Sequence, residues 1–258
     1  MPRPQVVAHR GASHETAEHT LGAYVQALEA GADAIECDVR LTADGHLVCV
    51  HDRDLRRTAA NKGVVSTMDL ADLDQFDFAS WKNPWGEDRE LTDEHVDLRK
   101  VLTLRRLIET VLACDRRVEM AIETKHPTRY AGLVERKLAA MLREYDLAGP
   151  DSPVRVMSFS YNALGRMRRL TPDLRLVMLI ERKRLWPMLK EVIHDDWILG
   201  PGVELLKHPS FAEKMVRSRR ELHVWTVNTE ADLRLCLDLG VKAVITDRPA
   251  FMLDRLGG

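Results

Sequence analysis

Cysteine is scarce in this 258-residue chain: Cys37, Cys49, Cys114 and Cys236 are the only four, and none stand at CxxC spacing. All lie inside apolar segments, so buried free thiols in a reducing compartment explain them better than disulfides or a zinc site. Long apolar runs are missing as well. No stretch could span a bilayer, and Met1-Pro2-Arg3-Pro4 runs straight into Val6-Val7-Ala8 without the extended apolar core of a signal peptide. The expected location is the cytoplasm. Excess charge is also lacking, with 38 Lys and Arg against 40 Asp and Glu and both signs mixed along the chain. That argues against a nucleic-acid partner; the basic run Arg166-Met167-Arg168-Arg169 reads as a solvated helix face. No Gly-rich turn follows any candidate strand, which disfavours a nucleotide-binding doubly wound sheet. No H-x-H pair follows the first strand, which disfavours a generic metal amidohydrolase barrel.

What the chain does have is rhythm. Short apolar runs suited to strands occur at Gln5–His9, Asp33–Val39, Arg117–Glu123, Val154–Phe159, Arg175–Leu179, Trp197–Gly200, His223–Val227 and Ala243–Thr246. Amphipathic segments lie between them. Thr20 is placed to cap a helix carrying the stripe Leu21, Tyr24, Val25 and Leu28, which Gly31 stops. Ser210 with Glu213 and Thr229 with Asp232 read as capping boxes, and Trp186-Pro187 as a helix opening. With 45% hydrophobic and 30% charged residues, eight β-then-α units predict a single α/β domain of the TIM (β/α)8 barrel class, with an open doubly wound sheet as the alternative. From about 53 to 99 the rhythm breaks into a charged segment containing Trp81, Pro84, Trp85 and Gly86. Its length predicts a functional insertion over the active-site face.

Barrel enzymes gather their chemistry at the carboxyl ends of strands. There the first strand offers His9-Arg10-Gly11, the second Glu36 and Asp38, and the third Glu123-Thr124-Lys125. Asp44-Gly45 predicts a two-residue hairpin turn. Counted outward from that turn, Ala43 pairs with His46 and His51 lies across from Asp38, on the face shared with Glu36. Glu36, Asp38 and Glu123 suit calcium or magnesium, which take oxygen ligands. Arg10 and Lys125 supply positive charge for an anion, and His9 and His51 titrate near neutrality as an acid and base. The combination describes metal-assisted phosphoryl chemistry. Trp225, at the end of a late strand, reads equally as an apolar wall for substrate or as core. His14 and His19 read as loop residues within reach of the site.

These residues resemble the glycerophosphodiester phosphodiesterases. The likeness runs in order through Ala8-His9-Arg10-Gly11, Glu18-His19-Thr20, Glu36-Cys37-Asp38-Val39, His51-Asp52, Leu55-Arg56-Arg57-Thr58, Glu123-Thr124-Lys125, Ser158-Phe159, Trp225-Thr226-Val227-Asn228 and Thr246-Asp247-Arg248-Pro249. The resemblance implies a TIM barrel that hydrolyses small glycerophosphodiesters to an alcohol and sn-glycerol 3-phosphate. It implies that His9 and His51 are the acid–base pair, that Glu36, Asp38 and Glu123 hold a divalent cation, and that Arg10 and Lys125 contact phosphate. It departs where the family reads Pro-Glu-Asn-Thr and this chain reads Ala17-Glu18-His19-Thr20. Two other readings fit the residues less well: a lysophospholipase D-like enzyme releasing a cyclic phosphate, and a catalytically inactive binding barrel.

Overall fold

Side chains on the strands alternate between two environments, and that alternation closes the sheet on itself. The computed structural model describes residues 3–82 and 98–257. Its parallel strands are β1 (Gln5–His9), β2 (Ala34–Leu41), β4 (Glu119–Thr124), β5 (Val154–Ser158), β6 (Arg175–Ile180), β7 (Ile198–Pro201), β8 (His223–Val224) and β9 (Ala243–Thr246). They are ordered β7-β6-β5-β4-β2-β1-β9-β8, and parallel bridges at Leu199–Leu222 and Gly202–Trp225 span the remaining seam. The result is a nearly closed (β/α)8 barrel. Val7, Ala34, Ala121, Met157, Val177, Leu179, Ile198, Ala243 and Ile245 fill its interior. Residues one position out of phase, such as Val6, Ile35 and Ile122, pack outward against the helices. At the amino-terminal end of the barrel, Arg155 is buried with Glu119 at 2.7 Å.

Helix ends follow local chemistry. Thr20 and Thr229 accept hydrogen bonds from the N–H groups of Ala23 and Asp232, each at 3.2 Å, as their positions predict. The expected cap at Ser210 is not formed. That helix is Pro209–Arg217, because proline, with its fixed φ and no N–H, suits a first turn and moves the cap back to His208. No helix among the described residues is long and apolar enough to cross a membrane. Cys37, Cys49 and Cys236 are buried free thiols; Cys114 is only partly covered.

The expected hairpin forms between β2 and the antiparallel strand β3 (Leu47–Cys49), but its register differs by one residue. Leu41 pairs with Leu47 and Val39 with Cys49, so the turn holds three residues, with Gly45 at φ +90°. The cause is Thr42, whose hydroxyl accepts the His46 N–H at 2.8 Å while its own N–H donates to the His46 carbonyl at 2.9 Å. Ala43, freed from the ladder, donates to Met68 in the insertion. Val50 therefore lies across from Asp38, its N–H donating to the Asp38 carbonyl at 3.0 Å. His51 falls beyond the ladder.

The insertion builds a small core of its own on β3, from Val48, Val50, Leu55, Val65, Leu73, Phe78 and Val101. Trp81 packs beneath the Arg57 guanidinium, 5.4 Å from it, and Lys82 reaches back to the Ser13 carbonyl. Pro84, Trp85 and Gly86 lie outside the described residues.

Candidate active site

The period-two phase that puts Val7, Ala34 and Ala121 inside the barrel puts His9, Glu36, Asp38 and Glu123 inside it one or two steps later, at the carboxyl end. Parallel pairing sets His9 beside Glu36 and Asp38 beside Glu123. All three carboxylates are buried, and one oxygen from each lies within 4.8 Å of the others. Three anions packed so closely in a low-dielectric site resist joint ionisation. Burial, with the Asp38 charge added, pushes Glu123 up to about 8 and moves Glu36 the same way. Burial would raise Asp38 too, but the His19 hydrogen bond and the Lys125 and Arg10 charges outweigh it and hold this carboxyl below its ordinary value. Asp38 Oδ1 is buried with no well-aligned hydrogen-bond donor and faces only the Lys125 ammonium, 3.2 Å away, a position a metal cation could also fill. An all-oxygen donor set of this kind fits calcium or magnesium.

Positive charge surrounds the carboxylates. Lys125 Nζ lies 2.8 Å from Glu123 Oε1 and 3.2 Å from Asp38 Oδ1. Arg10 follows β1 in the left-handed conformation, φ +58°, and Gly11 continues at φ +86°. A Cβ on Gly11 would meet the Ala23 carbonyl carbon at 2.6 Å, so only glycine lets the turn lie against that helix. The turn aims the Arg10 N–H at Glu36 Oε2, 3.1 Å away, and brings Arg10 Nε within 3.1 Å of Asp38 Oδ2.

Each sequence-predicted histidine has one nitrogen committed. His9 Nδ1 lies 2.6 Å from Asp247 Oδ1, and Asp247 also accepts from Ser13 Oγ and Asn228 Nδ2. Burial alone would raise Asp247, but these contacts bring it down to about 2. His51 Nδ1 lies 2.7 Å from Asp52 Oδ1. Burial, reinforced by the Arg10 and Lys125 charges against the pull of Asp38 and Asp52, lowers His51 to about 4. A carboxylate at Nδ1 fixes the proton there and leaves Nε2 of each ring for chemistry. Although out of register with β2, His51 is returned to the site by a bend and by Arg40, whose Nε and Nη2 donate to its carbonyl at 3.0 and 2.7 Å.

His9, Arg10, Glu36, His51, Glu123 and Lys125 line one cavity of about 360 Å³, walled on its far side by Trp225 and Phe159. These two rings meet edge to face at 5.4 Å, and the Trp225 indole N–H donates to the Gly200 carbonyl. Asp38 lies beneath these lining residues, in contact with Lys125 and Arg10.

Three contributors were not assigned from sequence. His19 is buried, its Nε2 2.9 Å from Asp38 Oδ2 and its Nδ1 2.8 Å from Tyr24 Oη. Burial lowers its pKa and favours the neutral ring, with the hydrogen on Nε2 facing the carboxylate. Asp247 continues the inward phase of Ala243 and Ile245, and that phase could have found it. Glu18, Arg57 and Asp52 form a chain of ion pairs from Arg10 to His51, with links of 3.0, 2.7, 2.7 and 2.7 Å. Nothing in the local sequence pattern shows it. His14 is exposed on the rim loop.

The chain is similar to known proteins over nearly its whole length. The sequence profile of the glycerophosphoryl diester phosphodiesterase family matches residues 9–251. A Mycobacterium tuberculosis protein named "Probable glycerophosphodiester phosphodiesterase 1" is 43% identical over 251 residues, 95% of this chain and 90% of that protein. A Bacillus subtilis glycerophosphodiester phosphodiesterase is 36% identical, covering 94% of this chain and 83% of its own. Among solved structures, an Oleispira antarctica phosphodiesterase in complex with the product sn-glycerol-3-phosphate superposes with TM-score 0.79 at 25% identity, covering 99% of this chain and 98% of the other. The chain belongs to the glycerophosphoryl diester phosphodiesterase family.

Proposed function

We propose that this phosphoric diester hydrolase cleaves glycerophosphodiesters to an alcohol and sn-glycerol 3-phosphate, with Glu36, Asp38 and Glu123 holding a divalent cation and His9 and His51 moving protons. The observation that carries the reading is the meeting of three buried carboxylates and two histidines each tied to a carboxylate at Nδ1. Bound there, a divalent cation supplies Lewis-acid polarisation of a non-bridging phosphate oxygen. Arg10 and Lys125, released in part from the carboxylates they neutralise here, stabilise charge developing on the equatorial oxygens.

His51, neutral at pH 7 because its pKa lies near 4, is suited to take the proton from the attacking oxygen at Nε2. His9, its Nδ1 held by the Asp247 carboxylate, presents Nε2 to the opposite side of the phosphate and is assigned delivery of the proton to the departing alcohol. The nucleophile is water, or the glycerol 2-hydroxyl passing through a cyclic diester. The Trp225 and Phe159 rings offer an apolar wall to the carbon skeleton. Convergence of the whole set speaks against an inactive binding barrel.

The test is a panel of glycerophosphodiesters and lysolipids assayed with calcium, magnesium or excess chelator, with products identified by phosphorus NMR. We expect glycerol phosphate from glycerophosphodiesters, dependent on metal, and loss of both metal affinity and turnover in Glu123→Ala. Undiminished turnover in excess chelator would overturn the metal assignment.

A further inference from the structure

Next to the catalytic cavity lies a second one, of about 450 Å³, and Lys125 lines both. Its walls come from the end of β2, the segment after His51 and the loop after β4. Arg40, Arg53 and Arg129 line it, with the Ser66 and Thr67 hydroxyls beside them, and no carboxylate does so among the described residues.

Arg40 makes this more than a patch of surface charge. Three covered arginines elsewhere in the chain meet acids: Arg10 meets Glu18 at 3.0 Å, Arg155 meets Glu119 at 2.7 Å and Arg166 meets Glu135 at 3.2 Å. Arg40 is half-buried, yet its partner among the described residues is a carbonyl, that of His51. Arg40 thus keeps guanidinium N–H groups that no carboxylate takes up in direct contact, and it shares the cavity wall with Arg53 and Arg129. An incoming anion supplies what is missing. Guanidinium groups fit phosphate or carboxylate in bidentate fashion.

On the reading of the preceding subsection, the reacting phosphate sits at Arg10 and Lys125, so the second cavity, which Lys125 also lines, adjoins it. We propose that this cavity receives a second anionic group carried by the leaving alcohol. The favoured substrates are then glycerophosphodiesters whose alcohol bears a phosphate monoester or a carboxylate, and alcohols with a cationic head are disfavoured.

The experiment compares sn-glycero-3-phosphoglycerol with the same diester phosphorylated on its terminal hydroxyl, alongside glycerophosphoserine and glycerophosphocholine. It uses the parent enzyme and the double variant Arg53→Ser/Arg129→Ser, which leaves Arg10, Arg40 and Lys125 in place. We expect kcat/KM for the phosphorylated diester to exceed that for the neutral one about tenfold or more, with the gap narrowing as salt is raised. In the double variant the gap should close, while turnover of the neutral diester stays within about twofold of the parent. The serine diester shows whether a carboxylate substitutes for phosphate. Equal rates on neutral and phosphorylated diesters, or a gap that survives in the double variant, would overturn the proposal. Calorimetric titration of both diesters in chelator separates this from the hydrolysis reading. If neither diester is cleaved but the affinity gap appears and depends on Arg53 and Arg129, hydrolysis falls and the anion cavity stands; if no affinity gap appears, the cavity proposal falls.

Discussion

His19 is the residue whose removal should separate structure from chemistry most cleanly. Its ring is buried, and Nε2 is the well-aligned donor to Asp38 Oδ2; Arg10 Nε lies 3.1 Å from the same oxygen without hydrogen-bond geometry. His19→Ala therefore deletes a charge-assisted hydrogen bond, with a net contribution of about 1.5–3 kcal/mol. It also opens a void under the Ala12–Thr20 loop, so the global loss should be roughly 3–5 kcal/mol, as for other buried ring truncations. A fall in stability alone would show only that the ring packs. The more telling quantity is metal affinity, because an outer partner of a metal ligand typically contributes about 10- to 100-fold.

Two further substitutions resolve the roles of the two nitrogens. A glutamine amide reaches about as far as Nε2 and can still donate to Asp38, whereas an asparagine amide reaches only the Nδ1 position beside Tyr24. Calorimetric titration of calcium and magnesium into chelator-stripped protein should show His19→Ala and His19→Asn binding at least tenfold more weakly, and His19→Gln within about threefold of the parent. Urea unfolding of the same proteins reports stability independently. If all three variants lose stability yet bind metal within twofold of the parent, His19 does not orient Asp38 and the reasoning fails.

The remaining predictions concern the proton carriers and pH. His9→Ala and His51→Ala should each lower kcat about a hundred- to ten-thousand-fold without unfolding the barrel, since both line the cavity, His9 at the end of β1 and His51 in the bend after β3. The double variant should be little worse than either single one, which steady-state kinetics would check. His223 is buried and, through burial and then the Arg155 charge, lowered from 6.5 to about 4. The unfolded chain therefore binds a proton between those values that the native chain refuses, and stability falls as the pH drops from about 6.5 to about 4. At about 1.4 kcal/mol per tenfold change the loss reaches about 3 kcal/mol. Urea unfolding against pH should show this limb flattened in His223→Gln, and an unchanged limb would clear His223 of responsibility.

Much of this architecture was legible because strand phase is a simple code. Once Val7, Ala34 and Ala121 are taken as inward, His9, Glu36, Asp38 and Glu123 follow at even spacing, and the polar ends of three strands must meet over one floor. Strand β8 came out shorter than its apolar run, Val224 being its last paired residue before Trp225 turns to bridge Gly202. Contacts made by loops carry no such code. His19 and Asp38 are brought together by a buried turn between β1 and its helix, and Arg57 meets Glu18 across 39 residues of chain. Neither partnership has a periodicity from which to read it.

The hairpin shows how a wrong register can still deliver the right residue. A slip of one position moves every side chain of a regular strand to the opposite face, so His51 should have left the site when Val50 took its place across from Asp38. It stays because β3 stops at Cys49 and the chain bends, and because Arg40, in phase with Glu36 and Asp38, grips the His51 carbonyl instead of a carboxylate. From the other side, Asp52 and Arg57 pull the same segment toward Glu18 and Arg10. His51 is thus placed by charges from the barrel floor and from the insertion rather than by the ladder. A shift of the insertion, which starts two residues later, would then move the His51 imidazole as well. The roles proposed for Arg53 in recognising the leaving alcohol and for His51 in proton transfer rest on one short piece of chain, so variation in the insertion should change specificity and pH profile together.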